Sequence, residues 1–425
     1  MSIVLPQSVN YSEGLPSLPE QTIQIPVASN PVNGQTFTSG QQIQFDLLNR
    51  GFLVPDSLSI SYTYTSTNLA NTEMIGCPVY TSFSRLDVQA GSQTIDTINS
   101  YNILMNMMTN LTLSVSEKYG LQSAFGYFAS TGVPSLEALD GRLLIANEGT
   151  TTPASFSGPL PCILSNAEKL LPLFAMPQLR IVLTVESIAN MFTSTVSLPT
   201  AWTLSNVELR YKIVDMGSEV ENMVRAMGDK IYIKSQSFSC SSTTLAAATS
   251  ASVELIFNQR YASVKSLFAI NGVGSAGSNK AFDSVDLTVG TGDYQFIVGG
   301  VNYPQRPISA RTNRASALQE LRGAVGSIFD KNNSFSINSV EFGYNAGTAS
   351  ACTYNAPGKF YIGTSCERLN SQSILTGIST QNSPISLRIN TGGSIGANSS
   401  NITLVVNYDT LFEVDTVNRQ LSIKS

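Results

Sequence analysis

Asp283 and Asp286, two carboxylates three positions apart in AFDSVDLTVG, have the spacing of acids that pair across a loop or ligate calcium. Their setting favours a plainer role, because the alternation of apolar and polar residues around them makes them the solvated ends of a strand. Four glycines follow in GTGDYQFIVGG, namely Gly290, Gly292, Gly299 and Gly300. A phosphate cradle needs a helix directly after its glycines, and a P-loop needs Gly-Lys-Ser/Thr. Here another strand follows, so these are read as turn glycines. The chain has no histidine, which removes Ser-His-Asp and Cys-His nucleophile systems together with the usual zinc ligands. Cys77, Cys162, Cys240, Cys352 and Cys366 are far apart, odd in number and without a C-x-x-C pair; they are expected to be buried free thiols. No catalytic, cofactor-binding or metal-binding residue is assigned, and no cofactor is expected.

What must position these residues is a chain of 425 amino acids with 42% hydrophobic residues, enough for two or three domains with real cores. Charged residues make up only 12%, about half the usual share. A surface so poor in charge is either neutral and polar or buried against neighbours, and extensive self-association is the expected reason. The net charge is -5, and the first cation is Arg50, after Glu13, Glu20 and Asp46. Without clustered Lys and Arg to release counterions, direct nucleic-acid binding is not expected. The opening MSIVLPQSVN lacks the basic and apolar regions of a secretory signal, so a reducing compartment is expected. LLPLFAMPQLRIVLTV is broken by Pro172, Pro177 and Arg180, short of the roughly 20 apolar residues a spanning helix needs.

Residues 1–35 carry Pro6, Pro16, Pro19, Pro26 and Pro31 among polar residues and are expected to form an extended arm without a core of its own. Short period-2 runs then dominate, among them QIQFDLL, SLSISYTYT, RLDVQA, LRIVLTV and NVELRYKIV, followed by SVELIFN, SVKSLFAI, DSVDLTV, DYQFIV, GKFYIG, ISLRIN, NITLVVNY and RQLSIK. Trp202, Tyr232, Phe238, Tyr261 and Phe268 fall within such patterns and are expected in the core. This is the cadence of an all-β sandwich or roll.

The two halves repeat each other. Ile43, Phe45, Leu47, Arg50, Val54 and Ile60 fall 210 positions before Val253, Leu255, Phe257, Arg260, Val264 and Ile270, and Leu86 and Val88 stand at the same shift from Phe296 and Val298. Tyr101, Leu104, Met108 and Leu111 make one helical stripe, matched 217 positions on by Leu318, Leu321, Val325 and Ile328. Near the ends, Ser205, Asn206, Val207, Leu209 and Tyr211 correspond to Ser400, Asn401, Ile402, Leu404 and Val406 at a shift of 195. Between the copies lies DMGSEVENMVRAMGDK, where Ser218 and Glu221 have capping-box spacing, Val220, Met223, Val224 and Met227 form an apolar face, and Gly228 closes the helix. The expected organisation is an arm over 1–35, a first roll over 36–216, a connector helix over 217–229 and a second roll over 230–425. Each roll is expected to be an eight-stranded antiparallel jelly roll carrying a short amphipathic helix insertion.

That order of segments resembles the double jelly-roll major capsid proteins of virophages, polinton-like viruses and adintoviruses, and more distantly those of large eukaryotic DNA viruses and tailless phages. The likeness rests on SRLDVQAGSQTIDTINSYNILMNMMTN, LSNVELRYKIVD, FNQRYASVKSLFAI, YQFIVGGVNYPQRPI and GKFYIGTSCERLNSQSILTGIST, and extends over most of residues 36–425. It implies a structural protein and not an enzyme: a viral major capsid protein whose two rolls stand side by side, whose homotrimers have a pseudo-hexagonal outline, and whose trimers contact one another to tile an icosahedral shell. Implied partners are the chain itself, penton and minor capsid proteins, and an internal membrane that the arm would face; the implied location is the virion, after assembly inside the host cell. The competing reading from the residues is a tandem β-sandwich binding module, such as a carbohydrate-binding spike or adhesin. A jelly-roll glycosidase, which requires two carboxylates facing each other in a cleft, is the weakest alternative.

Overall fold

The computed structural model describes residues 22–67, 72–74, 76–126, 143–144, 154–194, 201–246, 252–273, 292–309, 312–326, 335–337, 342, 360–367, 375–391 and 400–424. Asp283, Asp286, Gly290, Cys352, Ile328 and the strand expected at DSVDLTV lie outside them.

Eight strands build the first roll: β1 (Ile23–Ser29), β2 (Gln42–Asp46), β3 (Ser59–Thr67), β4 (Phe83–Ala90), β5 (Gln93–Asn99), β6 (Ala154–Pro159), β7 (Leu179–Val185) and β8 (Ala201–Asp215). The first pairs with the eighth, the second with the seventh, the third with the sixth and the fourth with the fifth, all antiparallel. Two layers result, with main strands β1-β8-β3-β6 and β2-β7-β4-β5, and the short strands Thr36–Phe37, Phe52–Leu53 and Leu171–Pro172 extend the first. A long hairpin folded onto itself in this way is a jelly roll. Helix α1 (Tyr101–Thr112) stands between the fifth and sixth strands, and the connector helix α2 (Ser218–Ala226) follows the eighth.

The second roll repeats the plan with β9 (Lys230–Leu245), β10 (Ser252–Phe257), β11 (Val264–Val273), β12 (Asp293–Val298), β13 (Val301–Ile308), β14 (Tyr361–Ser365), β15 (Ile385–Asn390) and β16 (Ser400–Asp415). Its layers are β9-β16-β11-β14 and β10-β15-β12-β13, with β17 (Gln420–Lys424) added beside β16. Helix α3 (Arg314–Val325) again follows the fifth strand of its roll.

Period-2 patterning explains the cores. Leu86 and Val88 on β4 sit opposite Leu183 and Ile181, and their counterparts Phe296 and Val298 on β12 sit opposite Leu387 and Ile385. All eight are buried, each removing apolar area from water at about 25 cal/mol per Å². On the outward face of β7, Arg180 pairs with Asp46 across the ladder at 2.6 Å. The register of the repeat slips by one in the third strand: Leu209 faces Ile60, whereas Leu404 faces Ala269 and not Ile270. Bulges in both ladders, at Ser205/Glu208 and at Val264/Ser266, absorb the difference.

The sixth strand of each roll carries a glycine beneath helical side chains, those of α3 in the second roll and those of the short helices Pro78–Thr81 and Gln122–Phe125 in the first. A Cβ on Gly363 would lie 2.9 Å from Phe268 and 3.0 Å from Leu321 of α3, and one on Gly158 would lie 3.2 Å from Val79 and 3.3 Å from Phe125. Both positions let helical side chains approach the sheet. Tyr101, Leu104 and Leu111 of α1 are buried, with Met108 packed against them; Leu321 of α3 is buried, with Leu318 and Val325 at its flanks.

Residues 23–29 belong to the first roll and not to an arm, because Ile25 and Val27 alternate toward the sheet while Pro26, opposite Lys212, lies on an edge strand where a missing N–H costs no ladder bond. Ser218 does not cap α2: it is already helical, and Gly217, at φ 83°, takes the cap position with its N–H donated to Asp215 at 3.0 Å. On that helix Val220 and Val224 pack inward, but Met223 and Met227 are 62% and 76% exposed. Tyr232, expected in the core, is half-exposed, with the ammonium of Lys424 over its ring at 5.8 Å.

Cys77, Cys162, Cys240 and Cys366 are all buried, and burial pushes the thiols of Cys162, Cys240 and Cys366 up to about 11, 12 and 12. Thiolates are the reactive form. A Cys352→Ser variant is therefore expected to show no thiol reacting with Ellman's reagent while native, and all four after denaturation; a fast-reacting thiol in the native variant would contradict the packing.

Candidate functional site: the seam between the two rolls

Strand β9 is the edge of its sheet, and a long bare edge invites pairing with other chains. The first roll covers it. The segment after β6 turns at Cys162, where Ser165 accepts the Cys162 N–H at 2.8 Å, and then runs along β9. Glu168 N–H donates to Lys234 O at 3.0 Å, Asn166 Nδ2 to Gln236 O at 3.1 Å, and Ser235 Oγ to Ile163 O at 2.6 Å. Serines at 235, 237 and 239 occupy alternate positions where a two-layer core would call for apolar residues; their small polar side chains suit a face against which another roll is laid.

Asp96 of β5 enters this seam. It is 5% exposed; Oδ2 accepts the Ser237 hydroxyl at 2.8 Å and Oδ1 accepts the Tyr408 hydroxyl at 3.3 Å. The Tyr408 ring stacks on Tyr261 at 3.8 Å. Burial pushes the Asp96 carboxyl up to about 6 against the opposite pull of these hydroxyls and of the Ile163 and Thr97 N–H groups. Among the described residues no Lys or Arg pairs with it.

Two further links cross the seam. Lys234 Nζ stands 3.3 Å from Glu168 of the first roll and 3.8 Å from Asp409 of the second, whose Oδ2 accepts the Ser263 hydroxyl at 2.9 Å. From the end of α1, Asn110 Nδ2 donates to the Tyr361 hydroxyl at 3.0 Å and Asn110 Oδ1 accepts from Lys118 at 2.9 Å, while Leu111 O accepts the Ser336 N–H at 2.7 Å. At one end the seam opens into a cleft of about 570 Å³ between the β4–β5 hairpin, with Gly91, Ser92 and Gln93, and a second-roll wall holding Lys230, Glu413 and Arg419. There Glu413 is bridged by both Lys230 and Lys424, which hold its carboxyl below the usual range.

Of the residues that first suggested chemistry, Gly292, Gly299 and Gly300 are described, and they serve turns and close packing. Gly299 and Gly300, at φ 61° and 79°, make the two-residue turn joining β12 to β13, where Val298 pairs with Val301. A Cβ on Gly292 would meet Asn390 O at 2.5 Å, so that glycine serves a close backbone approach. Trp202 is buried and stacked with Tyr64 at 6.0 Å, Phe268 is buried, and Phe238 and Tyr261 are half-buried against the core. LLPLFAMPQLRIVLTV divides into a short strand, one 3-10 turn and β7, and no described helix is long and apolar enough to cross a membrane. No group of three or more Cys, Asp or Glu among the described residues has the arrangement of a metal site. Asp96, Ser237, Tyr408, Lys234 and Asp409 were not singled out by spacing; the alternating serines of QSFSCSS were the one signal of an unusual face.

No protein-family model and no curated protein matches the chain. Solved structures do. A chain of the PBCV-1 virus capsid superposes with a TM-score of 0.60 at 9% identity, over 98% of this chain and 99% of its own. The Faustovirus major capsid protein gives 0.61 at 9% identity, over 97% and 93%, and the mavirus major capsid protein 0.53 at 11% identity, over 100% and 95%. The chain thus has the double jelly-roll fold of these proteins along essentially its whole length.

Proposed function

We propose that the chain is a viral major capsid protein, a structural subunit whose homotrimers have a pseudo-hexagonal outline and tile an icosahedral shell in the virion. The observation that carries this reading is the duplicated roll: two copies of one eight-strand plan, locked side by side, give each chain two similar wedges. Three chains then supply six. Low charge fits surfaces that end up against neighbours, since interface cores are depleted in Lys and acidic residues. The exposed Ile23, Met223, Met227, Tyr232 and Val417 fit the same account, as apolar groups on a chain that reaches its final state in an assembly. Penton and minor capsid proteins would complete such a shell, and an internal membrane would lie beneath it.

Mass photometry of the purified protein is expected to show a species of about three times the 45.5 kDa chain mass, with threefold particles of hexagonal outline by electron microscopy. A protein that stays monomeric at high concentration overturns the proposal.

A further inference from the structure

We propose that Asp96 makes the joint between the two rolls proton-dependent: protonated, it holds the rolls closed, and ionised, it loosens them. The inference rests on the seam geometry and stands whether or not the chain builds a shell. Asp96 is contributed by the first roll, while the hydroxyls it meets, Ser237 and Tyr408, belong to the second. Any separation of the rolls takes those partners away and delivers the carboxyl to water. A neutral acid loses little by staying; a carboxylate buried with two hydroxyl donors from the second roll, two N–H donors from the first and no cation gains hydration by leaving.

Every group facing Asp96 points the same way. Tyr408 and Tyr261 are pushed above the ordinary tyrosine range by burial, and Cys162 to about 11, so all three are neutral from pH 4 to 8. On its own hairpin, Asp87 is already engaged with Arg85 and with the Thr97 hydroxyl. Farther along β9, Lys234 is engaged with Glu168 and Asp409. Among the described acids of this stretch, Asp96 is one that no cation pairs with, whereas Asp87, Glu168 and Asp409 each have one.

The sign follows from linkage. In the closed seam the carboxyl titrates near 6, and hydrated in an opened seam it titrates at the ordinary 3.8. Below the lower value both forms are protonated and closure is at its strongest. As pH rises from there the open form sheds its proton first, so opening gains until the closed form also ionises, and above about 7 the effect is flat. Between pH 5 and 7.5 the opening constant is expected to rise on the order of tenfold.

Hydrogen exchange of the full-length protein, corrected for intrinsic rates, reads this at the amides of β5 and of residues 233–240. Wild type is expected to lose protection about tenfold between pH 5 and 7.5, and Asp96→Asn to show a flat profile. Equal slopes in the two proteins overturn the proposal. Should Asp96→Asn not fold, Ser237→Ala keeps the acid but removes a donor to its charged form, so the protection midpoint is expected to move to higher pH. An unmoved midpoint there also overturns it. Failure of the trimer measurement with a surviving pH profile would sink the shell reading and leave this one intact.

Discussion

Gly377→Ala is expected to abolish soluble expression of the chain or, where protein is recovered, to lower the stability of the second roll by about 4 kcal/mol or more. The reason is steric and local. A Cβ at this position would lie 2.5 Å from the carbonyl carbon of Val264, closer still to its oxygen, and 2.7 Å from the carbonyl carbon of Ser263. These are backbone atoms, so no rotamer change relieves the clash. Nor is the backbone able to drift apart. Val264 and Ile378 exchange two hydrogen bonds, of 2.8 and 2.9 Å, and Gly377 N–H donates to Ser263 Oγ at 2.9 Å, which itself donates to the buried Asp409. Moving the 376–378 segment outward breaks the two Val264–Ile378 bonds and the Gly377–Ser263 bond at once. Gly323→Ala in α3 is the matched contrast, because nothing lies within 4 Å of the new methyl group and alanine favours the helix by roughly 0.8–1 kcal/mol. Thermal unfolding in the same buffer should place the two variants on opposite sides of wild type. A Gly377→Ala protein that melts within a degree or two of wild type would show that the 264–378 contact is not formed as described.

Much of this fold could be read from residue order because its cores are built from period-2 strands, and strand periodicity survives duplication. Leu86, Val88, Phe296 and Val298 were paired from spacing alone and all sit in equivalent fourth strands. The helix stripes were equally legible, since Leu104 and Leu321 mark the buried faces of α1 and α3. What could not be read was which outward face another element would cover. Ile25 and Val27 belong to an edge strand with few buried positions, and a proline between them hid the pattern. Tyr232 and Phe238 alternate identically along β9, yet one end of that strand is left exposed while the other leans on the core. Asp96 is a polar residue in a polar hairpin, TIDTIN, and its carboxyl is pushed up by burial that its own strand does not announce. Long-range burial decides such cases, and spacing within one strand carries no record of it.

The largest electrostatic effect is expected from the link that crosses the seam at Lys234. Two carboxylates share this ammonium, and the shorter ion pair is the less consequential one. Glu168, at 3.3 Å, has a side chain 40% exposed, so water replaces its partner readily and Glu168→Gln is expected to cost under about 1 kcal/mol. Asp409, at 3.8 Å, has a fully buried side chain; at that separation the attraction is worth about 4 kcal/mol at an effective dielectric of 20. Truncating either member leaves buried polar groups without a partner they had. Lys234→Met leaves Asp409 with the Ser263 hydroxyl and the Thr376 N–H as its donors among the described residues, and Asp409→Leu leaves those donors without their acceptor while Lys234 keeps Glu168. Each single variant is expected to lose roughly 3–5 kcal/mol in denaturant unfolding. The double variant removes both charges and should lose far less than the sum, with a coupling of about 2 kcal/mol or more. Additive losses would mean that Lys234 and Asp409 do not sense each other. Because Lys234 also holds Glu168 of the first roll, the same cycle tests whether the joint and the core of the second roll are one cooperative unit: a coupled pair should raise hydrogen exchange at β5 of the first roll when only the second roll has been altered.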